Sequence, residues 1–193
     1  GGNIPSGGSG NTIEYITIAT TGTKDDFGDL NKFIAQSQGF ASQTRGVQVA
    51  GSTPGTSTNS MQYVTISTLG NAADFGDSTT VGNHRGTAAN GVRGVTAGGK
   101  TDSGVINVIQ FVTIATLGNA EDFGDLIAAR AGMGGGCASR TRGVFAGGYT
   151  PSPTTDAIDY VQIMSTGNAI DFGNLAASTQ YATGFSNGHG GLG

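Results

Sequence analysis

Four copies of the tripeptide Asp-Phe-Gly are the first feature of this sequence that could do chemistry, with Phe27, Phe75, Phe123 and Phe172 at their centres. In protein kinases the Asp of this tripeptide holds magnesium, but the Gly-rich loop, the strand Lys and the His-Arg-Asp loop of kinases are all missing here. Seven of the thirteen acidic residues lie in the tripeptides or directly after them, and carboxylates suit calcium. A calcium loop, however, places Asp and Asn at alternating positions, which these tripeptides do not.

We therefore predict that the four tripeptides are structural. Each Phe fills the gap between neighbouring repeats, and each Gly permits close backbone approach or a positive φ. The flanking Asp side chains cap a turn, and one of them pairs with the planar fork of Arg45, Arg93 or Arg142.

A phosphate-binding loop is the second candidate. Gly94-Val-Thr-Ala-Gly-Gly-Lys-Thr101 matches the pattern Gly-x-x-x-x-Gly-Lys-Ser/Thr in full. The equivalent segments from Gly46 and from Gly143 lack the Lys, and the motif is followed by the turn Asp102-Ser-Gly rather than by a helix that could point its N-terminus at a phosphate. We predict that the double glycine serves close packing and that no nucleotide binds.

Catalytic and metal-binding residues are scarce. His84 and His189 are the two histidines, Cys137 is the single cysteine, and neither a Gly-x-Ser-x-Gly motif nor a metal-ligand spacing occurs. The sialidase Asp box, Ser-x-Asp-x-Gly-x-x-Trp, is matched at Asp122 in its Asp-x-Gly part alone. We predict no enzyme activity, no metal and no cofactor, and we expect both histidines to be exposed.

The composition argues against two further classes. The 193 residues include 36 Gly, 9 Lys and Arg, and 13 Asp and Glu, which gives a net charge of −4. A nucleic-acid-binding protein needs a basic stripe instead. One cysteine cannot form an internal disulfide, and no apolar run approaches the roughly 18 residues that cross a bilayer. We predict neither nucleic-acid binding nor membrane insertion.

An internal repeat determines the secondary-structure elements that position the candidate residues described above. The units start at intervals of 48, 48 and 49 residues, at Ile13, Met61, Ile109 and Ile158. The Asp-Phe-Gly tripeptides have the same spacing. A third marker, Arg-Gly-Val, leads each time into a small-residue pair: Ala50-Gly51, Gly98-Gly99 and Gly147-Gly148. Residues 1–193 therefore form one domain of four repeats, which the chain ends cut within a unit.

Each unit has the pattern of short strands rather than of helices. Between residues 120 and 172 we predict strands near Gly135–Ser139, at Gly143–Gly147, at Ala157–Ile163 and around Phe172. Four strands in 40–50 residues is the repeat length of a β-propeller blade, whereas the rungs of a solenoid are usually far shorter. The predicted fold is an all-β propeller of four repeats, either a four-bladed ring or half of a larger ring.

The repeat resembles the kelch repeat, which has a double glycine, then a Tyr, then a Trp, and an Arg that starts the next blade. Here Gly147-Gly148, Asp159-Tyr160, Asp171-Phe172 and Arg130 take those places. Phe replaces Trp throughout, and the Tyr-to-Phe spacing is 12 residues. The resemblance implies a kelch-like propeller. The Asn-Ala-x-Asp-Phe-Gly-Asp-Leu variant is also similar to repeats of tail-fibre-like proteins of marine phages.

The four copies differ most in two links, one after the double glycine and one after Asp-Phe-Gly. Turns of a four-stranded meander alternate between two faces, so these two links share one face, which we call the variable face. Binding residues tend to lie on loops that a rigid scaffold displays. The predicted ligand-binding residues are Lys32, Phe33, His84, Arg85, Lys100, Asp102, Arg130, Tyr149 and Tyr181.

These features predict a non-enzymatic recognition module. The phage resemblance implies a domain of a virion tail fibre or appendage, located on a virion or outside the cell, which binds a cell-surface glycan or protein. Self-association or incorporation into a larger virion assembly fits this role. The alternative is a structural repeat protein of an extracellular or virion surface that has no ligand.

Overall fold

A computed structural model describes residues 2–3, 9–54, 56–134 and 136–186 of the chain. The regular secondary structure of this part consists entirely of β-strands, which confirms the predicted all-β class. None of its segments forms a helix that is long and apolar enough to cross a membrane.

Eighteen strands occur in the described residues, and most are short because glycine and turn residues interrupt every β-branched run. In chain order they are β1 (Gly2–Asn3), β2 (Ser9–Gly10), β3 (Thr12–Tyr15), β4 (Asp25–Asp29), β5 (Gln38–Ala41), β6 (Arg45–Thr53), β7 (Thr56–Thr65), β8 (Ala73–Asp77), β9 (Gly86–Ala89), β10 (Arg93–Ala97), β11 (Lys100–Thr101), β12 (Gly104–Val105), β13 (Val108–Thr113), β14 (Glu121–Asp125), β15 (Cys137–Ala138), β16 (Arg142–Ala146), β17 (Ala157–Gln162) and β18 (Ile170–Asn174).

Antiparallel pairing groups these strands into a series of similar sheets. Sheet I contains β3 and β4, while sheets II, III and IV have the orders β5-β6-β7-β8, β9-β10-β13-β14 and β15-β16-β17-β18. β1–β2 and β11–β12 are separate hairpins. The four strands of sheet IV occur where the sequence predicts them, although Gly135, at the start of the first predicted strand, lies outside the described residues.

A bulge recurs at the same place in every sheet. The register between the third and fourth strands shifts at Ile13/Glu14, Met61/Gln62, Ile109/Gln110 and Ile158/Asp159. A bulge bends a strand and increases its twist. The repeated sequence therefore builds the same curvature into all four sheets.

The hydrophobic core lies between the sheets. One cluster joins sheets II and III and includes Val47, Phe75 and Ile114. A second cluster joins sheets III and IV and includes Phe123 and Phe145. Burial of these side chains holds successive sheets together, since a sheet with one apolar face must cover it with a neighbouring element.

The same hydrogen bonds join each sheet to the next. Between sheets III and IV, Gly167 N donates to Phe123 O at 2.7 Å and Asn168 Oδ1 accepts from Asp125 N at 3.1 Å. Residues 70–72 and 118–120 make the equivalent bonds between sheets I and II and between sheets II and III. The Gly of Asp-Phe-Gly has a positive φ at each junction and faces a carbonyl of the next sheet. The predicted close backbone approach at this Gly is confirmed at three junctions.

The junction pattern stops at sheet IV within the described residues. Phe27, Phe75 and Phe123 are buried, as predicted, but Phe172 is 54% exposed. No described atom lies within 4 Å of a Cβ placed on Gly173. The prediction that Phe172 fills a gap between repeats is wrong for this part of the chain, because no described sheet packs on that side. The described residues do not form a closed ring.

The arginines of Arg-Gly-Val stack on aromatic rings rather than pairing with Asp. Their guanidinium carbons lie 4.3–4.8 Å from the ring centroids: Arg45 over Tyr63, Arg93 over Phe111 and Arg142 over Tyr160. Arg45 and Arg93 also donate to the carbonyls of Ile114 and Ile163 in the next sheet. Salt bridges among the described residues join Lys24 to Glu14 and Arg130 to Asp159. The predicted pair between one of these arginines and an Asp is therefore wrong, because the ring across the hairpin receives the guanidinium.

Candidate functional site

The two variable links of each unit lie side by side. Backbone hydrogen bonds pair Ala35 with Ser52, Asn83 with Lys100, and Ala131 with Tyr149. In each pair one residue precedes the first strand of a sheet. Lys100 and Tyr149 follow the second strand, and Ser52 lies near the end of the second strand, β6. The constant links are likewise bonded to each other, for example through Ile114 N and Val92 O at 2.9 Å. These bonds confirm that the variable links share a face.

The link that follows the fourth strand of each sheet has a left-handed residue at the same repeat position. These residues are Gln36, His84, Gly132 and Tyr181, with φ of 55°, 53°, 67° and 58°. Their peptide groups are bonded in series: His84 N donates to Gln36 O at 3.2 Å, Gly132 N to His84 O at 2.8 Å, and Tyr181 N to Gly132 O at 2.7 Å. The four repeats thus contribute one residue each to a continuous arc on the variable face.

Three aromatic side chains meet on this arc. The ring centroids of His84 and Tyr181 are 5.4 Å apart, and those of Tyr149 and Tyr181 are 6.2 Å apart. Both tyrosine rings lie over Gly132, where an added Cβ would be 2.8 Å from Tyr149 Cε1 and 3.2 Å from Tyr181 Cε1. We call His84, Tyr149 and Tyr181 the ring cluster. All three belong to the predicted binding set, and they come from three different links.

Two residues of the ring cluster, His84 and Tyr149, have shifted pKa values. Burial, followed by the positive charge of Lys100, lowers the pKa of His84 below its usual value. Burial, followed by the neighbouring phenol of Tyr181, raises the pKa of Tyr149. His84 is half-buried rather than exposed as predicted, and its Nδ1 atom has no hydrogen-bond partner among the described residues. The cluster therefore offers ring faces, phenol hydroxyls and a neutral imidazole beside one exposed cation.

Three other predicted binding residues lie on the variable face but outside the cluster. Lys32 and Phe33 are exposed on the link from β4 to β5. Asp102 is exposed and accepts a hydrogen bond from Ser57 Oγ at 3.2 Å, which joins the hairpins of sheets II and III. No ring contact or hydrogen bond between described residues connects these three to the ring cluster.

Arg85 does not lie on the surface, contrary to the predicted binding role. It is 1% exposed and donates to Gly98 O at 3.0 Å and to Thr80 O at 2.8 Å. Burial lowers the pKa of Arg85 to about 10, so the guanidinium remains charged at neutral pH. These hydrogen bonds join the link before β9 to the double-glycine segment that follows β10.

Arg130 is also buried, so its predicted binding role needs the same correction. Its Nη2 atom lies 3.1 Å from Asp159 Oδ2, and its Nη1 atom donates to Ala157 O at 2.7 Å. Burial lowers the pKa of Arg130 and raises the pKa of Asp159, and the charge of each partner opposes the shift of the other. The pair joins sheets III and IV below the variable face rather than facing a ligand.

The segment that matches a phosphate-binding loop is filled by the protein itself. A Cβ on Gly94 would overlap the ring of Phe40, and a Cβ on Gly98 would overlap the carbonyl of Arg130. Gly99 N donates to Arg130 O at 2.9 Å. The prediction of close packing at the double glycine is confirmed, since its backbone is in contact with the next link.

Sequence reasoning missed Gln36, Ser52 and Gly132. Ser52 Oγ donates to Gln36 Oε1 at 3.1 Å, beside the arc. Gln36, His84, Gly132 and Tyr181 follow one another at 48, 48 and 49 residues. The repeat register alone could therefore have grouped them.

Metal binding and similarity to known proteins both bear on the assignment of this site. The described residues contain no group of three His, Cys, Asp or Glu side chains that could hold a metal ion. His189 lies outside the described residues. No protein-family model matches the chain, and no curated protein matches it.

Proposed function

We propose that this chain is a non-enzymatic recognition module that binds a cell-surface glycan or protein through the ring cluster. The observation that carries the proposal is the convergence of His84, Tyr149 and Tyr181 from three separate links. Links that differ between copies still place aromatic side chains at one point on a repeated scaffold. Loops on a rigid scaffold are the usual place for binding residues.

The chemistry of the cluster suits a carbohydrate or a polar protein surface. Tyrosine provides a large, rigid contact area together with a hydroxyl group and loses little conformational entropy on binding. Tyr181 is 53% exposed, so its ring is open to a ligand. Lys100 adds a donor at the edge. Carbohydrates present both apolar faces and hydroxyl groups, which this combination matches.

The module belongs, in this proposal, to a kelch-like β-propeller of four repeats. Three equivalent junctions and the arc of Gln36, His84, Gly132 and Tyr181 support a circular arrangement. The first strands of sheets II, III and IV, together with residues 184–186, line one cavity of about 310 Å³. Four equivalent segments around a shared cavity are expected near a propeller axis.

The setting proposed for the module is a virion tail fibre or appendage, outside the cell. This part of the proposal rests on the resemblance of the Asp-Phe-Gly repeats to those of marine phage tail-fibre-like proteins. Low charge and abundant Gly, Ser and Thr are compatible with an extracellular surface. In this setting binding produces adhesion of the virion to its host.

A glycan array and whole bacterial cells test the binding proposal. We expect saturable binding by the purified chain that both Tyr149→Ser and Tyr181→Ser abolish while the thermal unfolding curve is retained. Leu117→Ser is the matched control, since Leu117 is 55% exposed on a constant link. Binding that survives both tyrosine changes, or that Leu117→Ser removes equally, would refute the role of the cluster.

A structural repeat protein without a ligand is the second candidate. The half-exposed Phe172 and Ile170 on the outer strand of sheet IV favour it, because such a strand can add to another sheet. This role predicts ordered self-assembly that mutation of the ring cluster leaves unchanged. Light scattering of the wild-type chain and of Tyr181→Ser distinguishes the two candidates.

A further inference from the structure

The three glycines of Arg-Gly-Val occupy equivalent places in the second strands but have different neighbours. A Cβ on Gly94 would overlap the ring of Phe40, and a Cβ on Gly143 would be 3.0 Å from Ala88 Cβ. In both cases the neighbour comes from the first strand of the preceding sheet. Among the described residues, a Cβ on Gly46 would meet only Val64 Cγ2, at 3.4 Å, from its own sheet. Gly46 therefore lacks, in the described part of the chain, the partner side chain that the other two glycines have.

A groove marks the place of this missing partner. It has a volume of about 590 Å³ and is lined by Gly39, Phe40, Gly46, Gln48 and Tyr63 of sheet II, with Ile13 at the edge of sheet I. Sheet I contributes β3 and β4, whereas its counterparts also have a first and a second strand. The groove is thus the half of an inter-sheet interface that β3 and β4 leave open.

The residue spacing of the contacts between the first strands of successive sheets identifies an occupant for this groove. Thr87 Oγ1 in β9 donates to Gly39 O in β5 at 3.0 Å, across 48 residues. Ser186 Oγ and the peptide of Ala138 in β15 are bonded across the same 48 residues. Ser186 therefore stands in register with Ala138, one repeat further on.

This register makes Phe185 the counterpart of Phe40 and Ala88. The four counterparts are Phe40, Ala88, Cys137 and Phe185, at intervals of 48, 49 and 48 residues. Phe185 is 90% exposed, the highest value among the described aromatic residues. It lines the cavity of about 310 Å³ together with Gly39 and Phe40 of β5. Those two residues also line the open groove, so Phe185 lies at its edge.

We propose that Phe185 binds in this groove and packs on Gly46 of the same chain, as Phe40 packs on Gly94 and Ala88 on Gly143. The groove is lined by the backbone of Gly39 and Gly46 and by aromatic side chains, which suits a phenyl ring. Insertion covers the open face of sheet II and removes the most exposed aromatic ring from water. The proposal concerns the interface between the repeats and is independent of ligand binding at the ring cluster.

A disulfide pair tests the contact directly. The substitutions Gly46→Cys and Phe185→Cys are combined in the full chain that also carries Cys137→Ser. The purified protein is then oxidised. A disulfide requires Cβ atoms about 3.5–4.5 Å apart, a spacing that residue 185 reaches if its backbone lies over Gly46 as that of Ala88 lies over Gly143, where an added Cβ is 3.0 Å from Ala88 Cβ. Ala88→Cys with Gly143→Cys is the positive control, since that contact is present in the structure. We expect a monomeric cross-link for both pairs. A dimeric product from the 46/185 pair, or none while the 88/143 pair forms, would overturn the proposal.

A double-mutant cycle gives a second test that does not depend on cross-linking. Gly46→Leu should lower the Tm by about 4–10 °C in the wild-type chain, because it competes with Phe185 for the groove. In the Phe185→Ala background the same change should lower the Tm by less than half as much. Gly94→Leu with and without Phe40→Ala is the matched control cycle. Equal losses from Gly46→Leu in the two backgrounds would show that Phe185 does not occupy the groove.

Discussion

Replacing Gly124 by Ala should destabilise the protein far more than replacing Gly167 by Ala. The two glycines lie at the same junction between sheets III and IV and have similar φ values of 143° and 153°. A Cβ on Gly124 would lie 2.5 Å from Gly167 O and 2.9 Å from Asn168 N, whereas no atom of the described residues lies within 4 Å of a Cβ on Gly167. The comparison therefore separates the close approach of two backbones from the conformational cost of a positive φ.

The size of the difference follows from these contacts. Both variants carry a backbone strain of about 1–3 kcal/mol, since alanine disfavours these φ values. Gly124→Ala adds overpacking of about 1–3 kcal/mol. Moving the two backbones apart also lengthens the hydrogen bond from Gly167 N to Phe123 O, which is now 2.7 Å. Weakening this bond costs about 1 kcal/mol. We expect the free energies of unfolding to differ by about 3 kcal/mol, which corresponds to about 6–12 °C in Tm for a chain of this length.

Urea unfolding followed by far-UV circular dichroism measures the difference. The denaturant dependence of the free energy should be equal in both variants, so that the midpoints are comparable. Equal losses for Gly124→Ala and Gly167→Ala would show that strain alone explains the glycine of Asp-Phe-Gly. The conclusion that it is required for contact between sheets would then be refuted.

Three further outcomes follow from the structure. Arg130→Met should lower the free energy of unfolding by about 3–5 kcal/mol because it leaves the Asp159 carboxylate buried without its partner, and Asp159→Asn should lower it by less. A larger loss for Asp159→Asn than for Arg130→Met in urea unfolding would contradict this. Arg93→Ala should cost about 1–2 kcal/mol, more than Arg142→Ala, since Arg93 stacks on Phe111 and also donates to Ile163 O at 3.3 Å; equal Tm losses would count against the bond between sheets. His84 has a lowered pKa in the folded chain, so the unfolded chain binds the proton more tightly. The contribution of His84 to the free energy of unfolding is therefore complete above pH 6.5 and decreases as the pH falls towards 5. A difference in Tm between wild type and His84→Asn that stays constant from pH 7.5 to 5 would contradict this.

The strands and their order could be predicted from sequence because the repeat fixes them four times over. The predicted strands at 143–147 and 157–163 correspond to Arg142–Ala146 and Ala157–Gln162. Glycine and turn residues end each β-branched run, so the boundaries are local properties of the chain. The separation of variable and constant links into two faces follows from the same meander.

Features that depend on a neighbouring sheet could not be predicted in this way. Phe172 lies in the same tripeptide, Asp-Phe-Gly, as Phe123, yet it is half exposed because no described sheet covers it. The sequence predicts an Asp partner for one of Arg45, Arg93 and Arg142. Arg45, however, is opposite Thr65 in the register of β6 and β7 and therefore diagonal to Tyr63. That diagonal relation puts the guanidinium over the ring, and the hairpin register would have predicted it.

The two buried arginines show the limit of reasoning from loop variability. Arg85 and Arg130 occur in links that differ between copies, so they were expected to face solvent. Each guanidinium instead donates to backbone carbonyl groups. Which carbonyls lie within reach of a side chain is a property of the folded backbone and is not encoded in the residue types.

The left-handed positions on the arc separate the demands of folding from those of recognition. Gly132 adopts this conformation without strain, whereas His84 and Tyr181 adopt it at a cost of about 1–2 kcal/mol each. Core burial does not compensate for this cost at Tyr181, which is 53% exposed. Glycine would therefore serve the fold better at this position. The cost at His84 and Tyr181 supports the proposed binding role of their rings, and this proposal predicts that mutations in the ring cluster alter binding before they alter stability.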